Sequence, residues 1–205
     1  MNTITVVTPC YNEVRNVRKL VEKVLEITKN IANIKFHHLF IDNASTDGTI
    51  EELRTLVELY PHVQVILNNR NYGHLRSPYY GLLQAKGDAV VMMAADFQDP
   101  PELISQFILK WQEGFKAVVA VKVGSKEPYI IRSIRNLYYR MINKLSDTPL
   151  IKNYYGFGLY DRDVITVLKS LNDPYPYFRG LISEFGFKTT KINFVKPIRD
   201  RDISK

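Results

Sequence analysis

Short, fully apolar runs alternate along the chain with longer segments in which apolar residues recur every three or four positions, the pattern of buried strands joined by amphipathic helices. Residues 3–8 are β-branched and apolar and predict a first strand, followed by a turn at Pro9-Cys10-Tyr11-Asn12 and a helix that turns Val14, Val17, Leu20, Val21, Val24 and Leu25 inward. The unit repeats. Residues 36–41 predict a second strand, which ends in Asp42-Asn43-Ala44-Ser45-Thr46-Asp47-Gly48, and the helix after it presents Ile50, Leu53, Leu56 and Val57. A third strand is expected at 63–67, then a polar loop over 68–73 and a helix over roughly 75–85. The apolar run 88–93 predicts the fourth strand, which empties into Ala94-Ala95-Asp96-Phe97-Gln98-Asp99-Pro100-Pro101-Glu102 and a proline-led helix. After a fifth strand at 117–123 the regularity fails: residues 124–160 are basic and aromatic, and are expected as a layer beside the sheet's active edge. Strands alternating with helices imply a single α/β domain, its mostly parallel central sheet crossed right-handedly and flanked by helices.

At 205 residues the chain suits one core, and no repeat, low-complexity tract or linker divides it. Hydrophobic residues make up 45%, with thirteen Tyr and ten Phe, a globular rather than a disordered composition. The net charge of +7 favours an anionic partner, whether nucleic acid, a membrane surface or a phosphorylated substrate, and does not choose among them. A single cysteine, Cys10, excludes an internal disulfide framework and a cysteine-built zinc site, and is expected as a small buried residue. No apolar run approaches the roughly 20 residues needed to span a bilayer, and the N-terminus opens into a strand without a signal-peptide profile. Gly156-Phe157-Gly158 lacks the third glycine of a dinucleotide loop and stands outside the first βα unit, so no Rossmann cofactor site is expected.

Three loops, 8–13, 42–49 and 94–102, lie at the carboxyl ends of successive parallel strands, where open α/β sheets bind ligands. The last places acidic and amide oxygens directly after a buried strand. A divalent cation bridging a diphosphate is the guest this favours, because such cations take oxygen ligands and are shared between carboxylates and phosphates. A cleft of this kind suits a nucleotide held by base and ribose at one end and by its metal-bound diphosphate at the other. Some acids have structural alternatives: Asp47 before Gly48-Thr49 can cap a helix, and Asp99 and Glu102 fit the first turn of one. Asp96 follows the strand directly and precedes the cap, which leaves it a functional role. Downstream, Arg132, Arg135 and Arg140 sit among Ile130, Ile131, Ile134, Leu137, Tyr138, Tyr139, Met141 and Ile142. This stretch, about 128–145, reads either as an amphipathic helix that lies in a membrane interface while its arginines meet phosphate, or as an ordinary helix with solvated charges.

These residues closely resemble the inverting family-2 glycosyltransferases of GT-A fold, in particular the polyprenyl-phosphate glycosyltransferases related to dolichyl-phosphate mannose synthase. The resemblance covers nearly the whole chain. Thr8-Pro9-Cys10-Tyr11-Asn12-Glu13 is similar to that family's opening nucleotide-binding loop and 41–49 to its second, while Arg70-Asn71-Tyr72-Gly73-His74 and 96–102 match its third and fourth. By that resemblance Pro9, Tyr11, Glu13 and Asp42 surround the nucleoside, Asp42 accepting hydrogen bonds from base or ribose. Asp96 holds the metal, Mg2+ or Mn2+, with Gln98 as a second oxygen ligand. The similar enzymes often carry another carboxylate two residues before Asp96, where this chain has Ala94. Residues 155–162 and 176–181 resemble segments of the bacterial polyprenyl-phosphate glucosyltransferases, and Arg132, Arg135 and Arg140 are then the candidates for the acceptor phosphate. The end of the chain, 196–205, is similar to the loop that precedes juxtamembrane helices in that family, which implies work at the cytoplasmic face of a membrane and an anchor beyond Lys205.

The reaction so implied is a single displacement: an acceptor oxygen attacks the anomeric carbon and the nucleoside diphosphate leaves from the opposite face, inverting the centre. UDP-hexose is the favoured donor and GDP-mannose the other. A prenyl phosphate is largely ionised already, so it needs cationic residues more than a base. One alternative is an enzyme of the same fold that extends a saccharide, with Asp99 as general base on a sugar hydroxyl. Another is a nucleotide-sugar binding module without turnover. A nucleic-acid partner rests on charge alone and is not expected. The oligomeric state is left open.

Overall fold

In the computed structural model, which describes residues 1–123, 141, 148, 150–173 and 175–197, the alternation of apolar runs and helical periods becomes β1 (Asn2–Cys10), α1 (Val17–Thr28), β2 (Ile34–Asp42), α2 (Thr49–Leu59), β3 (Val63–Leu67), α3 (Gly73–Gln84), β4 (Ala89–Met92), α4 (Leu103–Gln112) and β5 (Ala117–Val123). Beyond them lie β6 (Tyr154–Asp161), α5 (Arg162–Ser170), α6 (Phe178–Glu184) and β7 (Thr189–Val195). The strands form one seven-stranded sheet in the order β3-β2-β1-β4-β6-β5-β7. All neighbours are parallel except those of β6, which runs antiparallel to both β4 and β5.

That strand corrects the expectation for residues 124–160. Residues 154–160 do not lie beside the sheet; they form an interior strand of it, between β4 and β5. Tyr154 and Tyr160 are among the largest fully buried side chains, and their hydroxyls hydrogen-bond each other, so aromatic residues with polar tips enter the core without an unpaired group. The stretch with Arg132, Arg135 and Arg140 lies outside the described residues.

The sheet is covered on both faces. One carries Ile4, Val6, Val91 and Leu159 against α1, α2 and α4; the other carries Val7, Val90, Val119 and Tyr160 against α3 and α5. The inward faces of the helices follow the periodicity, with two exceptions: Leu25 and Val57 are each 37% exposed, and Leu56 carries the α2 contact. Each fully buried aliphatic side chain contributes on the order of 2 kcal/mol, so α1, with Val17, Leu20 and Val21 wholly enclosed, is held by packing rather than by a cap. Gly81 lets α3 approach closely, since a Cβ there would lie 2.9 Å from Ile41 Cγ2.

Register decides where the functional loops open. β1 pairs with β2 to the last residue, Cys10 opposite Asp42, whereas its pairing with β4 ends at Val7 opposite Met92. Residues 8–10 therefore project past the end of β4, and the turn after β4 lies beside them.

Candidate active site

A cleft of about 550 Å³ occupies this step at the carboxyl ends of β1 and β4. Pro9, Tyr11 and Glu13 line one side, Ala94, Asp96 and Asp99 the floor, and Tyr155, Gly156 and Phe157 from β6 the opposite wall. The loops that form it each turn through a left-handed residue that is not glycine: Asn12 (φ 57°), Ala44 (φ 64°) and Phe97 (φ 57°). Such residues are uncommon and persist where surrounding structure enforces them.

Here the enforcement is a set of hydrogen bonds between loops. Asn12 N donates to Ser45 Oγ (2.9 Å) and Asn12 Oδ1 accepts from Thr46 N (2.8 Å), while Glu13 N donates to Thr49 Oγ1 (2.9 Å). Gly48 holds the N-cap position of α2, and Asp47 just before it accepts from Thr49 N at 3.1 Å and from Val14 N at 3.3 Å. Its partial burial raises its pKa, but the hydrogen bonds from Thr49 and Val14 prevail and hold the carboxyl below its ordinary value. Asn43 ties the second loop to the third: its Nδ2 donates to Asn71 Oδ1 (2.8 Å), and its Oδ1 accepts from Tyr72 N (2.9 Å) and Asn68 Nδ2 (3.2 Å).

Asp42 sits beneath this network rather than in the cleft. It is fully buried, with Oδ2 accepting from Ser45 N (2.9 Å) and Oδ1 from Ser45 Oγ (2.5 Å). The side chains that reach the cleft from this side are Asn43, Asn71 and His74. Cys10 is buried as expected, and burial, with Asp42 and Glu13 nearby, pushes its thiol pKa well up.

The floor is built from two carboxylates with different surroundings. Asp96 Oδ1 accepts the Gln98 N–H at 3.1 Å, an Asx turn that points the backbone of Phe97 through its left-handed conformation. Asp99 does not serve the helix after it. Its Oδ2 turns back to accept the Ala94 N–H at 2.9 Å, closing the loop upon the strand end. α4 instead begins with Leu103 and Ile104 donating to the carbonyls of Pro100 and Pro101, and Glu102 pairs with Lys23 at 3.4 Å. Burial raises the Asp99 pKa to about 6, with the Ala94 N–H opposing and the nearby Asp96 charge adding to it.

Among the described residues no three His, Cys, Asp or Glu side chains converge as a metal cage. One aspartate facing an open cleft is nonetheless the donor set Mg2+ or Mn2+ takes beside a diphosphate, because water and phosphate oxygens complete the shell. Asp96 fits that role. Gln98 lies two residues further along the chain and is half-buried, outside the cleft lining. Of the residues singled out from the sequence, Pro9, Tyr11, Glu13, Asp96 and Asp99 converge on the cleft. Asn43, His74 and Tyr155 were missed; Tyr155 belongs to a strand that aromatic composition hid, while Asn43 and His74 lie inside the loops already singled out.

The model of the family described as "Glycosyl transferase family 2" matches residues 5–168. The chain is 34% identical over 196 residues to the uncharacterized glycosyltransferase YkcC of Bacillus subtilis, covering 95% of this chain and 60% of that protein. It is 30% identical over 203 residues to the bactoprenol glucosyl transferase of Shigella phage SfV, covering 98% and 66%. The chain thus spans about 60% to two thirds of the length of these relatives. Among solved structures, mannosyltransferase PcManGT from Pyrobaculum calidifontis, in complex with GDP-Man and Mn2+, superposes with a TM-score of 0.66 at 20% identity over 98% of this chain and 59% of that one. Glucosyl-3-phosphoglycerate synthase of Mycobacterium tuberculosis, with Mn2+, UDP-Glc and phosphoglyceric acid, gives 0.60 at 16% identity over 98% and 73%. With a family model spanning most of its length and the sheet of the GT-A enzymes around its cleft, the chain belongs to glycosyl transferase family 2.

Proposed function

We propose that the chain is the catalytic domain of an enzyme that moves a hexose from a nucleoside diphosphate sugar to a polyprenyl phosphate, inverting the anomeric centre, at the cytoplasmic face of a membrane. UDP-hexose is the favoured donor and GDP-mannose the other. The observation that carries this reading is the 30% identity to a bactoprenol glucosyl transferase across 98% of the chain, which supports a lipid phosphate over a soluble acceptor.

Pro9, Tyr11 and Glu13 would receive the nucleoside, on a loop that buried Asp42 holds rigid through Ser45. Asp96, with Gln98 two residues on, would hold Mg2+ or Mn2+, which would supply countercharge to the departing diphosphate. A phosphate monoester has a second pKa of about 6, so the attacking oxygen is already largely ionised. What it needs is relief from repulsion between two anions, in keeping with the net charge of +7 and with a role for Arg132, Arg135 and Arg140.

A second reading, transfer to a sugar hydroxyl, is favoured by one observation: Asp99, with its pKa raised to about 6 at the cleft floor, is poised as a general base. Product analysis separates the two. Incubation with UDP-glucose or GDP-mannose, Mn2+ and a ten-carbon prenyl monophosphate should give a lipid-extractable sugar phosphate, and a glycosidic disaccharide formed instead from an added sugar would overturn the first reading. Asp96→Asn should lower turnover by about 100-fold or more while its thermal melt stays at the wild-type position.

A further inference from the structure

Four consecutive residues, Tyr177-Phe178-Arg179-Gly180, build a fixed guanidinium beside the cleft's far wall. Phe178 anchors the segment, its ring edge-on to Tyr160 at 5.1 Å between centroids and to Tyr79 at 6.3 Å. Gly180 leaves room that Tyr177 fills, since a Cβ there would run into the Tyr177 ring. Arg179 then lies against two rings, its guanidinium carbon 5.6 Å from the centre of Tyr177 and 5.9 Å from that of Tyr155. Tyr155 is itself part of the cleft wall. Contact with ring faces orients a guanidinium without consuming its N–H groups.

Among the described residues those N–H groups are largely unspent. Nη1 reaches the Tyr154 carbonyl at only 3.5 Å, and no carboxylate among the described residues pairs with the side chain. The buried tyrosine pair behind the wall lies within electrostatic reach of both Arg179 and the cleft floor. Burial raises both hydroxyls; their mutual interaction then lowers Tyr154 and raises Tyr160, and after it Arg179 draws Tyr154 down and Asp99 pushes Tyr160 up. A held, half-buried arginine without an acidic partner among the described residues, next to a cleft, has the geometry for bidentate recognition of an oxyanion.

We propose that Arg179 receives the acceptor's phosphate monoester at the rim of the cleft and is thereby a determinant of the choice of phosphate over hydroxyl acceptors; the assignment rests on the transferase reading above. It differs in place from the arginines of 132–140, being carried on α6 and fixed by Tyr155 and Tyr177.

The test compares wild type with Arg179→Met and Arg179→Lys, using UDP-glucose or GDP-mannose and the ten-carbon prenyl monophosphate. A hydrogen-bonded charge contact corresponds to a change of roughly 10- to 100-fold, so Arg179→Met should raise the acceptor KM by that factor and leave the donor KM within about twofold. Arg179→Lys, which keeps the charge and loses the fork, should recover part of the loss, and it decides the matter if the methionine variant does not fold. Inorganic phosphate should compete with the acceptor on wild type and more weakly on Arg179→Met, whereas the corresponding prenol should not tell the two apart. An unchanged acceptor KM, or donor and acceptor KM rising in step, overturns the proposal. If wild type transfers to no phosphate acceptor, the transferase reading fails instead. Calorimetric titration with the prenyl monophosphate then decides the role of Arg179, equal affinity in wild type and Arg179→Met refuting it.

Discussion

Asp99 carries a carboxylate where a neutral group would be more comfortable. Its pKa is raised, chiefly by burial, so the folded protein binds this proton more tightly than the unfolded chain does. The contribution to stability is present at low pH and is lost as pH rises through the ordinary carboxylate range to about 6. Asp99→Asn keeps an oxygen for the Ala94 N–H and removes the buried charge. It should therefore stabilise the fold at pH 7 by on the order of 1–3 kcal/mol, read from urea midpoints, with the gap closing at pH 4. A gap of the same size at both pH values would mean that the charge is not what strains the site. Asp42, singled out from its place after β2, is fully buried and braces the second loop by accepting from Ser45 N and Ser45 Oγ.

Elements were legible wherever apolar periodicity was simple. β1 to β5 and α1 to α4 appear where their patterns predict them, because each is buried by aliphatic residues at regular spacing. β6 was not. Tyr154-Tyr155-Gly156-Phe157-Gly158-Leu159-Tyr160 mixes tyrosine with glycine, and its hydroxyls find partners only in the fold: Tyr160 with Gly156 O at 2.7 Å and with Tyr154. β7, with Thr, Lys and Asn among its apolar residues, is an edge strand that was not singled out from the sequence. Gly158 marks where β6 touches β5, because a Cβ there would run into the Val118 carbonyl oxygen. Gly158→Ala should cost on the order of 3 kcal/mol in chemical denaturation. Gly73→Ala, where no atom lies within 4 Å but φ is +82°, should cost only about 1–2 kcal/mol, so similar losses at the two positions would contradict the close approach of the strands.

For the molecule as a whole, acid is the weak side. His38 is fully enclosed in the sheet, stacked on Phe40 at 4.2 Å and hydrogen-bonded through Nε2 to Thr8 Oγ1 at 2.9 Å, while its Nδ1 has no partner among the described residues. Burial, with His62 adding, lowers its pKa to about 3. The unfolded chain thus takes up this proton first, and stability that is complete above about pH 6.5 drains away as pH falls toward 3. His37 and His62 are shifted in the same direction, mainly by burial. Replacing both members of the hydrogen-bonded pair, Thr8→Val with His38→Leu, should flatten the fall in melting temperature between pH 7 and pH 4; an unaltered slope would shift the blame to other groups. The reversed strand inside the sheet also orders the birth of the molecule. β5 meets β4 only through β6, so a ribosome that has released β1 to β4 holds a nascent sheet with one flank open until residue 161 emerges. Chaperone capture of stalled chains should consequently be strongest for arrests before that point and drop sharply once β6 can dock.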